Sequence, residues 1–175
     1  MRRDVKHEAD VEIKVGILSI STSKFKKFGY VSGIDSIPEE DESSKTLLEK
    51  LKFEVVDYRL VGDDETGIAR AVLEMSEICN VIISTGGTGI TPRDVTVEAI
   101  RPLVEKEIEG FGEIFRMESY REVGTAAILS RAFAGVLRNR TVIFCLPGSK
   151  KAVELGVRII NDCLRHVVSH AQGLR

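Results

Sequence analysis

The sequence predicts an α/β domain built on a mostly parallel sheet, and three observations carry that prediction. Short β-branched apolar runs without polar alternation occur at 15–20, 81–83 and 141–146, the composition of strands covered on both faces. Stretches with apolar residues at helical spacing separate them, and each run ends in a turn rich in Ser, Gly or Pro. Strands and helices alternating at this spacing imply right-handed crossovers and parallel neighbours.

In order along the chain, residues 1–12 are polar and suit a flexible tail, which leaves 13–175 for a single domain. The first strand runs into Ser21-Thr22-Ser23, and from Lys24 to Glu42 the chain shows no period, so a long loop is expected. Ser43 or Ser44 would cap a helix over 45–52 with Leu47, Leu48 and Leu51 on one face. A second strand follows over 53–61. Acids at Asp63, Asp64 and Glu65 favour a helix start, and Ile68, Val72, Met75 and Ile78 carry the helix over 64–79. The third strand leads straight into Ser84-Thr85-Gly86-Gly87-Thr88-Gly89. Pro92 suits a turn, Thr96 a cap for a helix to about Arg101, and Pro102 a break. Residues 110–123 read as helix, while 126–136 fit a helix or a strand pair equally. Asn139 and Arg140 turn the chain into the last central strand, and Ser149 caps a terminal helix to about Ala171. Apolar residues lie on more than one face of that helix, which implies a second packing partner such as another subunit.

Composition narrows the function. The chain has 175 residues, enough for one sizeable core, and its net charge of −2 motivates no nucleic-acid partner. No apolar run approaches the roughly 20 residues of a membrane span, and the charged N-terminus lacks the apolar centre of a signal peptide. Three cysteines without a C-x-x-C pair suit a reducing compartment, so a cytoplasmic protein is expected. A single Gln and three Asn beside abundant Lys, Arg and Glu hint at a thermophile.

Ligands of such sheets sit at the carboxyl ends of the strands, which directs attention to the loops after Ile20, Thr85 and Leu146. Thr85, Gly86, Gly87, Thr88 and Gly89 offer unhindered backbone N–H groups and hydroxyls, a surface suited to phosphate oxygens or simply a tight turn. Arg93 and Asp94 follow at once. Asp63 and Asp94 lie just past strand ends and could hold Mg²⁺ or could cap helices. Pro147-Gly148-Ser149 forms a second turn before a helix N-terminus, with Lys150 and Lys151 adding positive charge. His166 and His170 stand four apart without an acidic third ligand and read as structural.

Taken together, Ser84-Thr85-Gly86-Gly87-Thr88-Gly89, Arg93-Asp94-Val95-Thr96 and Leu146-Pro147-Gly148-Ser149 with Lys151-Ala152-Val153 resemble the MoaB/MogA family of molybdenum cofactor biosynthesis, and within it the MoaB branch. The resemblance implies a three-layer α/β/α molybdopterin-binding fold, trimers or hexamers, and a molybdenum-insertion partner of the MoeA type. It also implies Mg²⁺-dependent transfer of AMP from ATP to the terminal phosphate of molybdopterin. Asp63 and Asp94 match the family's two important acids, Ser119 a position at the pterin site, and Leu129-Ser130-Arg131 a further family segment. The implied site therefore takes in Ser21, the Thr85 to Gly89 turn, Arg93, Ser119, Ser130 and Pro147 to Ser149. The chain departs from the family at Thr22 after Ser21, at Ser44 in Asp41-Glu42-Ser43-Ser44, at Gly62 before Asp63, and at Val97. The departures at Thr22 and Ser44 motivate the alternative of a non-catalytic pterin carrier, and the broadly apolar terminal helix that of a scaffold in the same pathway.

Overall fold

A computed structural model describes residues 11–174. The tail expected at 1–12 falls for residues 1–10 outside the described residues, and Val11 packs into the core. Seven strands form one sheet in the order β2-β3-β1-β4-β7-β6-β5. They are β1 (Lys14–Ile20), β2 (Val31–Ser32), β3 (Glu54–Val61), β4 (Val81–Thr85), β5 (Val104–Glu107), β6 (Phe133–Leu137) and β7 (Val142–Leu146). The central strands β3, β1, β4 and β7 are parallel, and β2, β6 and β5 extend the sheet antiparallel at its edges.

Among the described residues, six helices cover the two faces: α1 (Thr22–Phe28), α2 (Glu42–Lys50), α3 (Glu65–Met75), α4 (Thr96–Ile100), α5 (Glu109–Val123) and α6 (Lys150–Ala171). Side chains alternate across a strand, so each central strand feeds both layers. Ile17, Val81, Ile83, Phe144 and Leu146 meet Leu47 of α2, Phe115 of α5 and Val153 and Ile160 of α6. Leu18, Ile82, Ile143 and Cys145 meet Ile68, Val72 and Met75 of α3 and Val97 and Ile100 of α4. That gives the three-layer sandwich, and it explains why β1, β4 and β7 read as apolar runs without polar alternation.

Four expectations need correction. The segment from Lys24 to Glu42 is not a loop: it holds most of α1, the edge strand β2 and a 3₁₀ turn over Ile34–Ser36. Its elements are short and stapled by polar contacts, which leaves no apolar period to read. Asp41, not Ser43 or Ser44, caps α2, accepting from the Ser44 N–H. Residues 126–136 are neither a helix nor a strand pair but the end of a 3₁₀ segment over Gly124–Leu129 followed by β6. Finally, the terminal helix needs no second subunit to bury its apolar faces. It packs on the sheet and against α2 and α5, and among the described residues no large exposed apolar side chain lies on it.

Candidate functional site

The chain leaves β1 for β3 on one side, then crosses back to β4 on the other, so the loops after β1 and β4 diverge and open a crevice at the carboxyl edge. Gly86 enters that crevice at φ 98° with its N–H donating to Leu146 O at 2.9 Å. A Cβ there would stand 2.2 Å from the Ile20 carbonyl oxygen, so only glycine lets β1 and β4 close so tightly. Gly87, at φ 67°, is equally restricted, because a Cβ would meet Thr96 Oγ1 at 2.2 Å.

The turn is held by its carbonyls. Thr96 does not cap α4 as expected; it is the first residue of that helix, its hydroxyl donates to Gly86 O at 2.8 Å and its N–H to Gly87 O at 3.1 Å. The Arg131 N–H donates to Thr88 O at 3.0 Å, and the Arg131 guanidinium to Gly89 O at 2.8 Å and Asp94 O at 3.0 Å, while it pairs with Glu98. Four successive carbonyls therefore point into protein. The N–H groups of Gly87, Thr88 and Gly89 find no acceptor among the described residues, and the buried Thr88 hydroxyl has no hydrogen-bond partner. A cluster of fixed, unclaimed donors is what an anion requires.

The two acids flank this cluster. Asp64 rather than Asp63 caps α3, accepting from the Gly67 N–H at 2.6 Å. Asp63 Oδ2 instead accepts from the N–H and hydroxyl of Thr22 at 2.7 and 2.6 Å, and its Oδ1 lies 3.2 Å from the position of a Cβ on Gly87. Asp94 Oδ2 accepts from the N–H and hydroxyl of Thr91 at 2.9 and 2.6 Å, and the same carboxylate backs onto Gly89. In each acid Oδ1 accepts from no described residue. The donors are all hard oxygens and one oxygen of each carboxylate accepts no hydrogen bond among the described residues, a donor chemistry that suits Mg²⁺, which usually takes one or two carboxylates and keeps several waters. The rings of His166 and His170 lie with centroids 4.4 Å apart, tilted 56° to each other, but no group of three metal-ligating side chains occurs among the described residues.

Ser21 caps α1, accepting from the Lys24 N–H at 3.3 Å, and Arg93 stands exposed on the rim. The second glycine turn touches the first: a Cβ on Gly148 would come within 3.3 Å of Gly86 Cα. Gly148 O accepts from Ser43 Oγ at 2.6 Å, and Ser149 caps α6 as expected. Beside the turns opens a cavity of about 430 Å³ that brings together Thr88, Gly89, Ser119, Ser130, Pro147 and Ser149. Asp63, Asp94, Ser21, Thr85, Gly86, Gly87, Arg93 and Gly148 do not line it. The expected residues thus divide into a pocket and an adjoining polar edge that share the glycine turn.

Two contributors escaped the sequence reading. Arg131 was visible only as part of a family segment. Asp41 is fully buried; Oδ1 accepts from Lys24 Nζ at 2.7 Å and the Ser44 N–H, and Oδ2 from Ser44 Oγ and Tyr58 Oη, each at 2.9 Å. Burial pushes its carboxyl up, but the hydrogen bonds and charge of Lys24, with the nearby Ser19 and Tyr58 hydroxyls, outweigh it and hold the group below its ordinary range. Burial and the Asp41 charge push Tyr58 up in turn. Through Lys24 of α1 and Ser43 of α2, this one carboxylate ties the Ser21 side of the crevice to Gly148.

Comparison with known proteins bears on what such a site does. Residues 16–166 match a family model described as "Probable molybdopterin binding domain". The molybdopterin adenylyltransferase of Pyrococcus furiosus is 39% identical over 173 residues, covering 95% of this chain and 96% of that protein. Molybdenum cofactor biosynthesis protein B of Bacillus subtilis is 47% identical over 137 residues, covering 74% and 80% respectively. Among solved structures, the tungsten cofactor synthesizing protein MoaB from Pyrococcus furiosus superposes with a TM-score of 0.82 at 39% identity, covering 94% of this chain and 99% of that one.

Proposed function

The chain belongs to the molybdopterin-binding family of molybdenum cofactor biosynthesis proteins, and on that premise we propose that it is a molybdopterin adenylyltransferase. In this reaction an oxygen of the molybdopterin terminal phosphate bonds to the α-phosphorus of ATP as the bridge to the β-phosphate breaks, and pyrophosphate leaves. The observation that carries the reading is the set of unclaimed donors at Gly87, Thr88 and Gly89, fixed from behind by Thr96 and Arg131.

Phosphoryl-type transfer depends mainly on positioning and on donors already aimed at the charge, so such a turn needs no rearrangement when phosphate arrives. The turn binds phosphate oxygens between the two substrates, with Thr85 and Gly86 anchoring it to β4. Lys150, Lys151 and the N-terminus of α6 at Pro147, Gly148 and Ser149 draw in the anionic ends of both. Ser119 and Ser130 hydrogen-bond the pterin inside the cavity, and Ser21 and Arg93 border the nucleotide. Asp63 and Asp94 would hold Mg²⁺ through their free oxygens, and the bound ion would neutralise phosphate charge.

Incubation of the pure protein with molybdopterin, ATP and Mg²⁺ is expected to give adenylylated molybdopterin and pyrophosphate. Asp94→Asn, which weakens the metal-binding carboxylate, is expected to lower turnover about 100-fold or more. Wild-type protein that binds the pterin yet forms no more product than this variant would mark a carrier instead. We further read the protein as a cytoplasmic trimer or hexamer with its domain over 13–175, of thermophilic origin, handing product to an insertion protein of the MoeA type. Support for the oligomer comes from exposed Ile114, Met117, Tyr120 and Val123 on α5 with Ile128 and Leu129 beside them. Sedimentation should find three or six chains together; a monomer at micromolar concentration would refute it.

A further inference from the structure

We propose that Glu122 reads the hydrogen-bond donor edge of the pterin and so fixes which way round the substrate lies in the cavity, an inference that rests on the molybdopterin reading above. The cavity combines an anion site with a single acid. The glycine turn and Lys150 lie on its wall, and Lys151 borders, together with Glu122 and Arg158, a smaller hollow beside it. Among the described residues Glu122 is the one acidic side chain on the cavity wall. It stands three residues after Ser119 on α5, so the two share a helix face.

Arg158 reaches across from α6 and its Nη2 donates to Glu122 Oε1 at 3.1 Å in an exposed ion pair, while Oε2 accepts from no described residue. That carboxylate repels a phosphate, which leaves the phosphate end of the substrate to the unclaimed N–H groups of the glycine turn. A pterin ring presents its 2-amino group and its N3–H side by side as two donors, and the natural complement of two parallel donors is a carboxylate. The walls between are Phe115, Val123 and Leu155, apolar surfaces suited to a flat ring. A substrate with a donor edge at one end and a phosphate at the other satisfies both Glu122 and the glycine turn at Thr88 and Gly89 in one orientation. Arg158 is then a positioning residue, since it orients Glu122 and donates to nothing else among the described residues.

The probe pair is 6-hydroxymethylpterin phosphate and its lumazine counterpart, which carries a 2-oxo group in place of the 2-amino group, titrated by ring fluorescence. Wild-type protein should bind the pterin about tenfold or more tightly than the lumazine, the scale of a lost charge-assisted hydrogen bond. Glu122→Gln should lose that preference with an unchanged melting temperature, and Arg158→Ala should reduce it. Equal binding of the two rings by the wild type overturns the proposal, as does a preference that survives in Glu122→Gln. A lower melting temperature with the preference intact would make Glu122 a surface ion-pair partner only and also overturns it. Adenylylation persisting in either case leaves the enzymatic reading standing; failure of the wild type to bind either phosphate ester removes both.

Discussion

Replacing Asp41 with Asn is expected to destabilise the protein sharply at neutral pH and progressively less in acid. The side chain is fully buried and each of its oxygens receives two hydrogen bonds, one from an ammonium that is itself only 23% exposed. In Asn one of those oxygens becomes an NH₂ facing donors, and Lys24 loses its counter-charge. Breaking a buried pair on one side costs about 3–5 kcal/mol. For a domain of this size that is roughly 6–20 °C in melting temperature, at about 2–4 °C per kcal/mol. Because the folded-state carboxyl is held below its ordinary value of 3.8, its contribution is complete above that pH and is lost as pH falls through the lower folded-state value. Thermal unfolding of wild type and variant should therefore differ most at pH 7 and converge toward pH 2. A loss under about 1 kcal/mol, less than an ordinary hydrogen bond to a charged group, or a difference that stays constant with pH, would refute the reasoning.

Other outcomes follow from the same geometry. Thr96→Val strands the buried Gly86 carbonyl and should cost about 1–3 kcal/mol in denaturant unfolding, with a larger proportional loss of adenylylation because the turn is unfastened. Gly89→Ala places a methyl 2.7 Å from Asp94 Oδ2 without a positive-φ penalty, so turnover should fall while the melting temperature moves little; unchanged turnover would contradict the placement of Asp94. Burial raises the Cys79 and Cys145 thiols to about 12, so at pH 8 both should resist a thiol reagent until the protein is denatured. Chelation of Mg²⁺ should abolish turnover and re-addition restore it, with circular dichroism unchanged, since Thr22 and Thr91 already hold the two carboxylates in place.

Much of this was legible in the chain. The strands β1, β4 and β7 stand out in the sequence because residues such as Ile82 and Ile83 face opposite apolar layers, and the turn after β4 is visible in its glycines. What stayed hidden was held by polar contacts between distant residues. Nothing near Asp41 shows that Tyr58 and Lys24 converge on it, and Arg131 lies 42 residues from the Gly89 carbonyl it holds. Asp63 and Asp64 are adjacent acids, and only the fold shows that the second caps α3 while the first turns back to Thr22. The edge strand β5 has the sequence Val104-Glu105-Lys106-Glu107, mostly exposed and too polar to register as a strand.

The most direct measurement is a crystal structure with Mg²⁺ and a non-hydrolysable ATP analogue. The account predicts a phosphate group within hydrogen-bond distance of the Gly87, Thr88 and Gly89 N–H groups, with Mg²⁺ on the free oxygens of Asp63 and Asp94. A nucleotide bound with its phosphates elsewhere, and those three N–H groups facing only water, would contradict it.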